Sequence, residues 1–279
     1  MKITYLTFEC IPSCNMNCRF CFSDWRENEH YMNTDDAKLA IYDLYRHGLE
    51  AINFTGGEPL LRKDIDNLIK FSKRLGLKTI LTTNGILLEM HLKNIFRYVD
   101  FIGLPLESVD PGIHNRMRPS LSNFDNHSQI LRLIALIKKQ YPRIGIKINT
   151  LVSRQNIKEI AMIGSLIEGS VVSWKLSQFI PSNFGSEHRE DFAVSKKEFS
   201  KAVKLCKSLY PKMNIIATPA YSRQKGCRIL SSNGHLLRPV HNTLKDLGPV
   251  CFEKKIFKGY DDEMSRYFLE KTYPRGDKE

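Results

Sequence analysis

Short apolar runs alternate with longer amphipathic segments along most of the chain, a rhythm that predicts strands and helices in succession. Ile3–Phe8 reads as a first strand. Thr34, with Asp35 and Asp36 in the first turn, predicts a helix to about His47, closed by Gly48. Ala51–Thr55 reads as a strand running into Gly56-Gly57-Glu58-Pro59, and a helix follows over Lys63–Leu75, ended by Gly76. Thr79–Thr82 is the next strand, then Asn84-Gly85 and a helix near Leu88–Phe96. Strands at Phe101–Leu104, Ile144–Leu151 and Val171–Phe179 alternate with helices at His127–Gln140 and Ile157–Leu166. Ser195-Lys196-Lys197-Glu198 has the spacing of a capping box and opens a helix to about Leu209.

Six strand–helix units in a row imply parallel pairing with right-handed crossovers. The expected fold is therefore α/β, an open or closed parallel barrel over residues 1–211. Beyond Pro211 the rhythm breaks down, with short strands expected at Ile215–Ala217, Arg228–Leu230 and Leu236–Leu237. Residues 212–279 read as a C-terminal extension closing the substrate side, with a polar, frayed tail past Pro274. Neither an internal repeat nor an interdomain linker stands out.

Composition narrows the class. A chain of 279 residues with 42% hydrophobic and 26% charged residues can bury a substantial core. No apolar run approaches the roughly 18–20 residues that span a membrane. Met1-Lys2-Ile3-Thr4-Tyr5 lacks the features of a signal peptide, so a cytoplasmic location is expected. Seven cysteines, three of them clustered, read as metal ligation in a reducing compartment. The net charge of +12 favours an anionic partner such as a nucleotide, RNA or acidic lipid. The basic residues are scattered, so a solvated basic surface fits equally well.

The cysteine cluster carries the most chemistry. Cys14, Cys18 and Cys21 stand in the run Cys-Asn-Met-Asn-Cys-Arg-Phe-Cys, directly after the first strand. That spacing lets one loop wrap three thiolates around a metal centre. It suits an iron–sulfur cube with one iron left open, whereas structural zinc wants a fourth ligand. Cys10 is near, but falls at the strand's end. The cysteine loop, the Gly-Gly-Glu-Pro turn and Thr83-Asn84-Gly85 all follow strands, where a parallel barrel gathers its catalytic groups. Adjacent glycines let a ligand approach the backbone closely, and the Glu58 carboxylate could hold an ammonium. Pro59 fixes the turn.

These residues resemble the signature of the radical S-adenosylmethionine (SAM) superfamily, Cys-x3-Cys-x2-Cys with an aromatic before the third cysteine. Here that aromatic is Phe20. The resemblance implies a partial (β/α)6 TIM-like barrel, a [4Fe–4S] cluster on Cys14, Cys18 and Cys21, and SAM chelating the fourth iron through its amino and carboxylate groups. It implies that Gly56, Gly57, Glu58 and Pro59 meet the methionine moiety. Thr83, Asn84, Ser108 in the loop after the fourth strand, and Asn149 are implied near SAM, with Gln178 and Phe179 at its adenine. The implied chemistry is one-electron cleavage of SAM to a 5′-deoxyadenosyl radical that abstracts hydrogen from a substrate. A ferredoxin or flavodoxin is the implied electron donor.

Several stretches are similar to the viperin-like branch, which dehydrates nucleoside triphosphates to 3′-deoxy-3′,4′-didehydro nucleotides. They are Ile52–Pro59, Lys147-Ile148-Asn149 with Asn156, Trp174-Lys175 with Gln178, and Gly259–Met264. On that resemblance Arg118, Lys147 and Lys175 bind the triphosphate, and Asn149 the base or ribose. An ammonium facing into a barrel is costly unless an anion meets it, which fits two strand lysines to phosphate. The sequence does not say whether those lysines point inward. Trp174 reads as packing. Where viperin-like enzymes carry a late-acting tyrosine, this chain has Ser231-Ser232-Asn233-Gly234-His235, and His235 is the candidate proton donor. No membrane role is expected. Cys206, Cys227 and Cys251 are too scattered for the tight C-terminal cysteine groups of peptide-maturing and GTP-cyclising branches, and read as buried thiols. A tRNA-modifying enzyme fits the charge, but no RNA-binding module is appended, so RNA is not favoured. A reading from another class is a non-catalytic Fe–S or zinc protein that binds nucleic acid.

Overall fold

The computed structural model describes residues 3–22, 30–220, 228–240 and 243–250. In chain order its strands are β1 (Tyr5–Glu9), β2 (Ala51–Thr55), β3 (Lys78–Thr82), β4 (Phe101–Pro105), β5 (Gly145–Val152), β6 (Ser173–Gln178), β7 (Ile215–Thr218), β8 (Ile229–Leu230), β9 (His235–Val240) and β10 (Thr243–Pro249). Among the described residues these form one sheet in the order β10-β9-β8-β1-β2-β3-β4-β5-β6-β7. Neighbours from β8 through β1 to β7 are parallel, and β9 and β10 are antiparallel. Among the described residues β7 and β10 are edges and the sheet does not close, so the expected partial barrel is what forms.

The helices are α1 (Thr34–Arg46), α2 (Ile65–Arg74), α3 (Leu88–Ile95), α4 (Pro111–Met117), α5 (Asn126–Gln140), α6 (Ile160–Ile167), α7 (Arg189–Phe192) and α8 (Lys196–Leu209). Most fall within a few residues of the expected segments. The cap of α1 is Asn33, one residue before Thr34, and its side chain accepts from the Asp36 amide at 2.9 Å. At α8 the reciprocal Ser195–Glu198 box is present. Helix α4 has no counterpart in the sequence reading. Its seven residues are too few for a periodic signal, and it rests on Pro111 at its start and the Asp110 side-chain cap.

The hydrophobic core lies between the sheet's outer face and the helices, with Leu6, Phe8, Ile52, Phe54, Leu81 and Ile102 buried there. Trp174 is fully buried in this layer. Its indole donates to the Thr150 hydroxyl at 2.8 Å and meets the Tyr210 ring edge-on at 6.4 Å. Trp174 is thus a packing residue, as its sequence context suggested. Trp174→Ala is expected to cost about 3–5 kcal/mol of stability, measured by denaturant unfolding. A loss under ~1 kcal/mol would contradict its place in the core.

Past residue 211 the chain joins both margins of the sheet. β7 extends the edge beyond β6, whereas β8 returns to pair with β1. The hairpin strand β10 lies beyond the expected strands. Cys227, Cys251, the Gly259–Met264 stretch and the tail past Pro274 lie outside the described residues.

Candidate active site

The inner face of the sheet and the loops after β1–β3 enclose a cavity of about 430 Å³. Cys14, Cys18 and Cys21 all line it, together with Phe20, Gly56 and Gly57. The cysteine loop is pinned by backbone pairing with the glycine turn. Gly57 N–H donates to Ile11 O, and Glu58 N–H to Ser13 O, each at 2.8 Å. A Cβ on Gly57 would lie 2.1 Å from Ser13 O, so the glycine is what allows the loop to sit this close. The other flank is held by Asn17 N–H donating to Pro119 O at 2.9 Å, beside a Met16–Ser120 bridge. Arg62, fully buried, donates to Cys10 O at 2.8 Å and to Met32 O at 2.9 Å while paired with Asp64.

The residues present fit a three-cysteine cluster. Burial pushes the Cys14 thiol up to about 11 and the Cys18 thiol up to about 12. Neutral thiols are therefore favoured until a metal supplies the positive charge that stabilises thiolates. Among the described residues no group of three or more His, Cys, Asp or Glu closes on one ion. A cube seats each thiolate on a different iron, so its ligands need not converge on one point. Cys10 does not join them: its thiol donates to Thr55 O at 3.1 Å and lies outside the cavity wall.

The two carboxylate-and-hydroxyl positions expected at SAM are engaged elsewhere. Glu58 is buried and accepts from the Thr83 hydroxyl at 2.6 Å, the Asn84 amide at 2.7 Å and the Leu60 amide at 3.1 Å. Desolvation raises its pKa, and those hydrogen bonds oppose the rise. Through these bonds Glu58 acts as a strut that sets Thr83 and Asn84, both in the cavity wall. Pro59 is buried and starts a short 3-10 turn. The Ser108 hydroxyl is buried between the Glu159 carboxylate and the Asp110 amide, outside the wall.

Strand alternation separates the remaining candidates. On β6, Lys175 and Ser177 face the cavity and Phe179 follows them into its wall, whereas Trp174, Leu176 and Gln178 take the opposite face. Gln178 accordingly bridges backbone, donating to Val194 O at 2.9 Å and accepting from Ala220 N–H at 3.1 Å. Phe179 packs on Phe192 at 5.6 Å, and the Phe20 ring meets Phe192 from the cysteine side. His235 is not brought to the cavity wall; at the start of β9 it pairs with Asp246 at 2.7 Å.

On β5, Lys147 and Asn149 face inward, and Asn149 stands level with Lys175 in the ladder. Gly103 lies opposite Lys147 on β4, and a Cβ there would come within 3.0 Å of Asn149 Nδ2 and the Thr82 hydroxyl. Lys147 is 5% exposed, and burial, with repulsion from Lys175, holds its pKa well below the usual lysine value. Arg118 also lines the cavity, but at the cysteine end. Its Nε donates to Glu107 at 2.6 Å, Nη1 lies 4.0 Å from Cys18 Sγ, and the guanidinium stacks 5.1 Å from the Phe20 ring centroid. Glu107, His114, Arg62 and Asn15, which accepts from Asn84 Nδ2 at 2.7 Å, were not singled out from sequence. Glu107 and Arg62 each sit next to a stretch that was noticed, and a charged residue there was the available signal.

An open parallel sheet whose first strand–helix loop presents three cysteines to an internal cavity defines an iron–sulfur enzyme architecture. The Radical SAM superfamily model matches residues 8–167, and the chain belongs to that superfamily. It is thus a radical SAM enzyme that uses a [4Fe–4S] cluster and SAM. It is 28% identical over 207 residues to an S-adenosylmethionine-dependent nucleotide dehydratase of Lacinutrix mariniflava, covering 71% of this chain and 43% of that one. The chain therefore spans less than half of that relative's length. A Selenomonas ruminantium protein of the same name is 29% identical over 91% of this chain and 93% of its own. A GTP 3′,8-cyclase of Synechocystis is 26% identical over 81% of this chain and 69% of its own. Among solved structures, native anSMEcpe with bound AdoMet shares the fold, with a TM-score of 0.72 and 16% identity over 97% of this chain and 84% of that one. No helix among the described residues is long and apolar enough to cross a membrane.

Proposed function

We propose that this enzyme acts on a phosphorylated small molecule, and specifically that it dehydrates a nucleoside triphosphate. The observation that carries this reading is that Lys147 and Lys175 line the same cavity as Cys14, Cys18 and Cys21. The bound cluster and SAM supply low-potential one-electron chemistry and a carbon radical able to take a hydrogen atom. The protein's share is to hold an anion at the lysines, so that the attached sugar lies toward the cysteine end. Asn149, level with Lys175, is placed to orient the ribose or base. Phe179 and Phe20 give that end apolar walls that exclude water. Two of the relatives carry the name nucleotide dehydratase, which agrees with such a substrate. A small one-electron carrier such as a ferredoxin or flavodoxin is the proposed donor.

The test is anaerobic turnover of the reconstituted, dithionite-reduced enzyme with CTP, UTP, GTP and ATP in turn. One triphosphate is expected to stimulate 5′-deoxyadenosine formation and to lose water. Abundant 5′-deoxyadenosine with no dehydrated nucleotide would overturn the dehydratase reading, and an isomer of GTP would favour the cyclase-like alternative. The lysine site adds a pH signature. An anion raises the depressed pKa of Lys147, so binding takes up a proton whenever the pH exceeds that pKa. Substrate affinity is thus expected to weaken as pH rises through a window below the ordinary lysine value of 10.5. Lys147→Met should raise KM roughly tenfold or more and flatten that dependence.

A further inference from the structure

The cysteine end holds a buried charge pair, Arg118 with Glu107. Glu107, the second residue past β4, is fully buried. One carboxylate oxygen receives Arg118 Nε at 2.6 Å and the other the Leu151 amide at 2.7 Å. Arg118 in turn faces Cys18 Sγ and the Phe20 ring. The backbone of Glu107 is fixed as well. Its N–H donates to His114 Nδ1 at 3.1 Å, so the His114 proton must reside on Nε2. Nε2 then donates to Asn126 Oδ1 at 3.0 Å, and Asn126 Nδ2 donates to Asn84 O at 2.9 Å. Burial pushes His114 down to about 3, which keeps this tautomer neutral across the working pH range. A hydrogen-bonded chain therefore runs from the loop after β3, through α5 and α4, to the backbone of Glu107, whose carboxylate stands behind Arg118.

We propose that Glu107 is a positioning residue whose carboxylate neutralises and orients Arg118 against Cys18, and thereby sets the field in which the cluster accepts its electron. A guanidinium beside a thiolate ligand favours the reduced, more negative cluster. The carboxylate behind it offsets part of that effect, and local charge is one of the levers on iron–sulfur potentials. The charge balance concerns the cluster and not the nucleotide, so it and the dehydratase reading can fail separately.

The test is a redox titration of the reconstituted holoenzyme, with the one-electron midpoint followed by electron paramagnetic resonance of the reduced cluster. Glu107→Gln leaves Arg118 uncompensated and should raise the midpoint. The expected size is about a tenfold gain in the reduced-to-oxidised ratio at a fixed poise, or about 59 mV for one electron. The double variant Glu107→Gln/Arg118→Met removes both charges and should return the midpoint toward the wild-type value. A merely structural lesion would not be reversed by a second truncation. An unchanged midpoint in Glu107→Gln, or a double variant shifted as far as the single one, would overturn the proposal. If Glu107→Gln fails to retain iron, the double variant decides. Restored iron and a near-native midpoint support charge balance, and a second failure overturns it.

Discussion

Cys18→Ala is expected to abolish cluster assembly and all SAM cleavage, a loss far beyond the roughly 10–100-fold that follows removal of an outer-shell partner. Three thiols share one cavity, and among the described residues the nearest other cysteine is not positioned to substitute. The Cys10 thiol is turned onto Thr55 O at 3.1 Å, and its backbone is held by Arg62. Bringing it to the cluster would mean unpairing the end of β1. Cys10→Ala is therefore the matched control, expected to keep iron and turnover. Iron content and 5′-deoxyadenosine yield measure both. An active Cys18→Ala enzyme would contradict the ligand assignment.

Gly57→Ala should come close to the same loss by a different route. Its added Cβ would meet Ser13 O at 2.1 Å and Pro12 O at 2.6 Å, both backbone atoms of the cysteine loop. Neither can swing aside as a side-chain tip would, so the loop itself must move. Overpacking of this kind costs about 1–3 kcal/mol, and here the displacement falls on the three ligands. Cluster content should drop severely with only a modest fall in Tm. Gly76 offers the comparison. It has open space around it but a φ of +87°, so Gly76→Ala should strain the backbone by about 1–2 kcal/mol and leave the cluster intact. Equal iron content in Gly57→Ala and wild type would refute the steric account.

The strands, most of the helices and the cysteine loop were legible because each rests on local pattern: apolar runs, caps and glycine stops. Side-chain direction was not. Lys147 and Lys175 could be placed in the cavity only once β5 and β6 were in register, and Gln178 shows the cost of a one-residue ambiguity. Glu58 was legible as important but not in its role. Its hydrogen bonds reach Thr83 and Asn84, about 25 residues along the chain, and no local pattern encodes that distance. Arg62 and Glu107 were only faintly legible, for a related reason. Single charges next to a recognised motif look like surface residues until burial and partners are known. Helix α4 was hidden by its shortness, and with it the His114 link.

The strand that leads into the cysteine loop has a late-arriving neighbour. β1 pairs on one side with β2, through Thr7 opposite Asn53, but on the other with β8, through Thr7 opposite Ile229. On the ribosome, at about 5–20 residues per second, the wait for Ile229 lasts about 10–45 seconds. Until then the Thr7–Phe8 stretch of β1 lacks its β8 partner, and an unpaired strand edge is a template for pairing with the wrong chain. The same interval leaves the flank of the cysteine pocket unwalled, because Ile229 and Pro239 are among the residues that line it. Biosynthetic order therefore predicts a period in which iron and sulfide can reach the thiols from that flank.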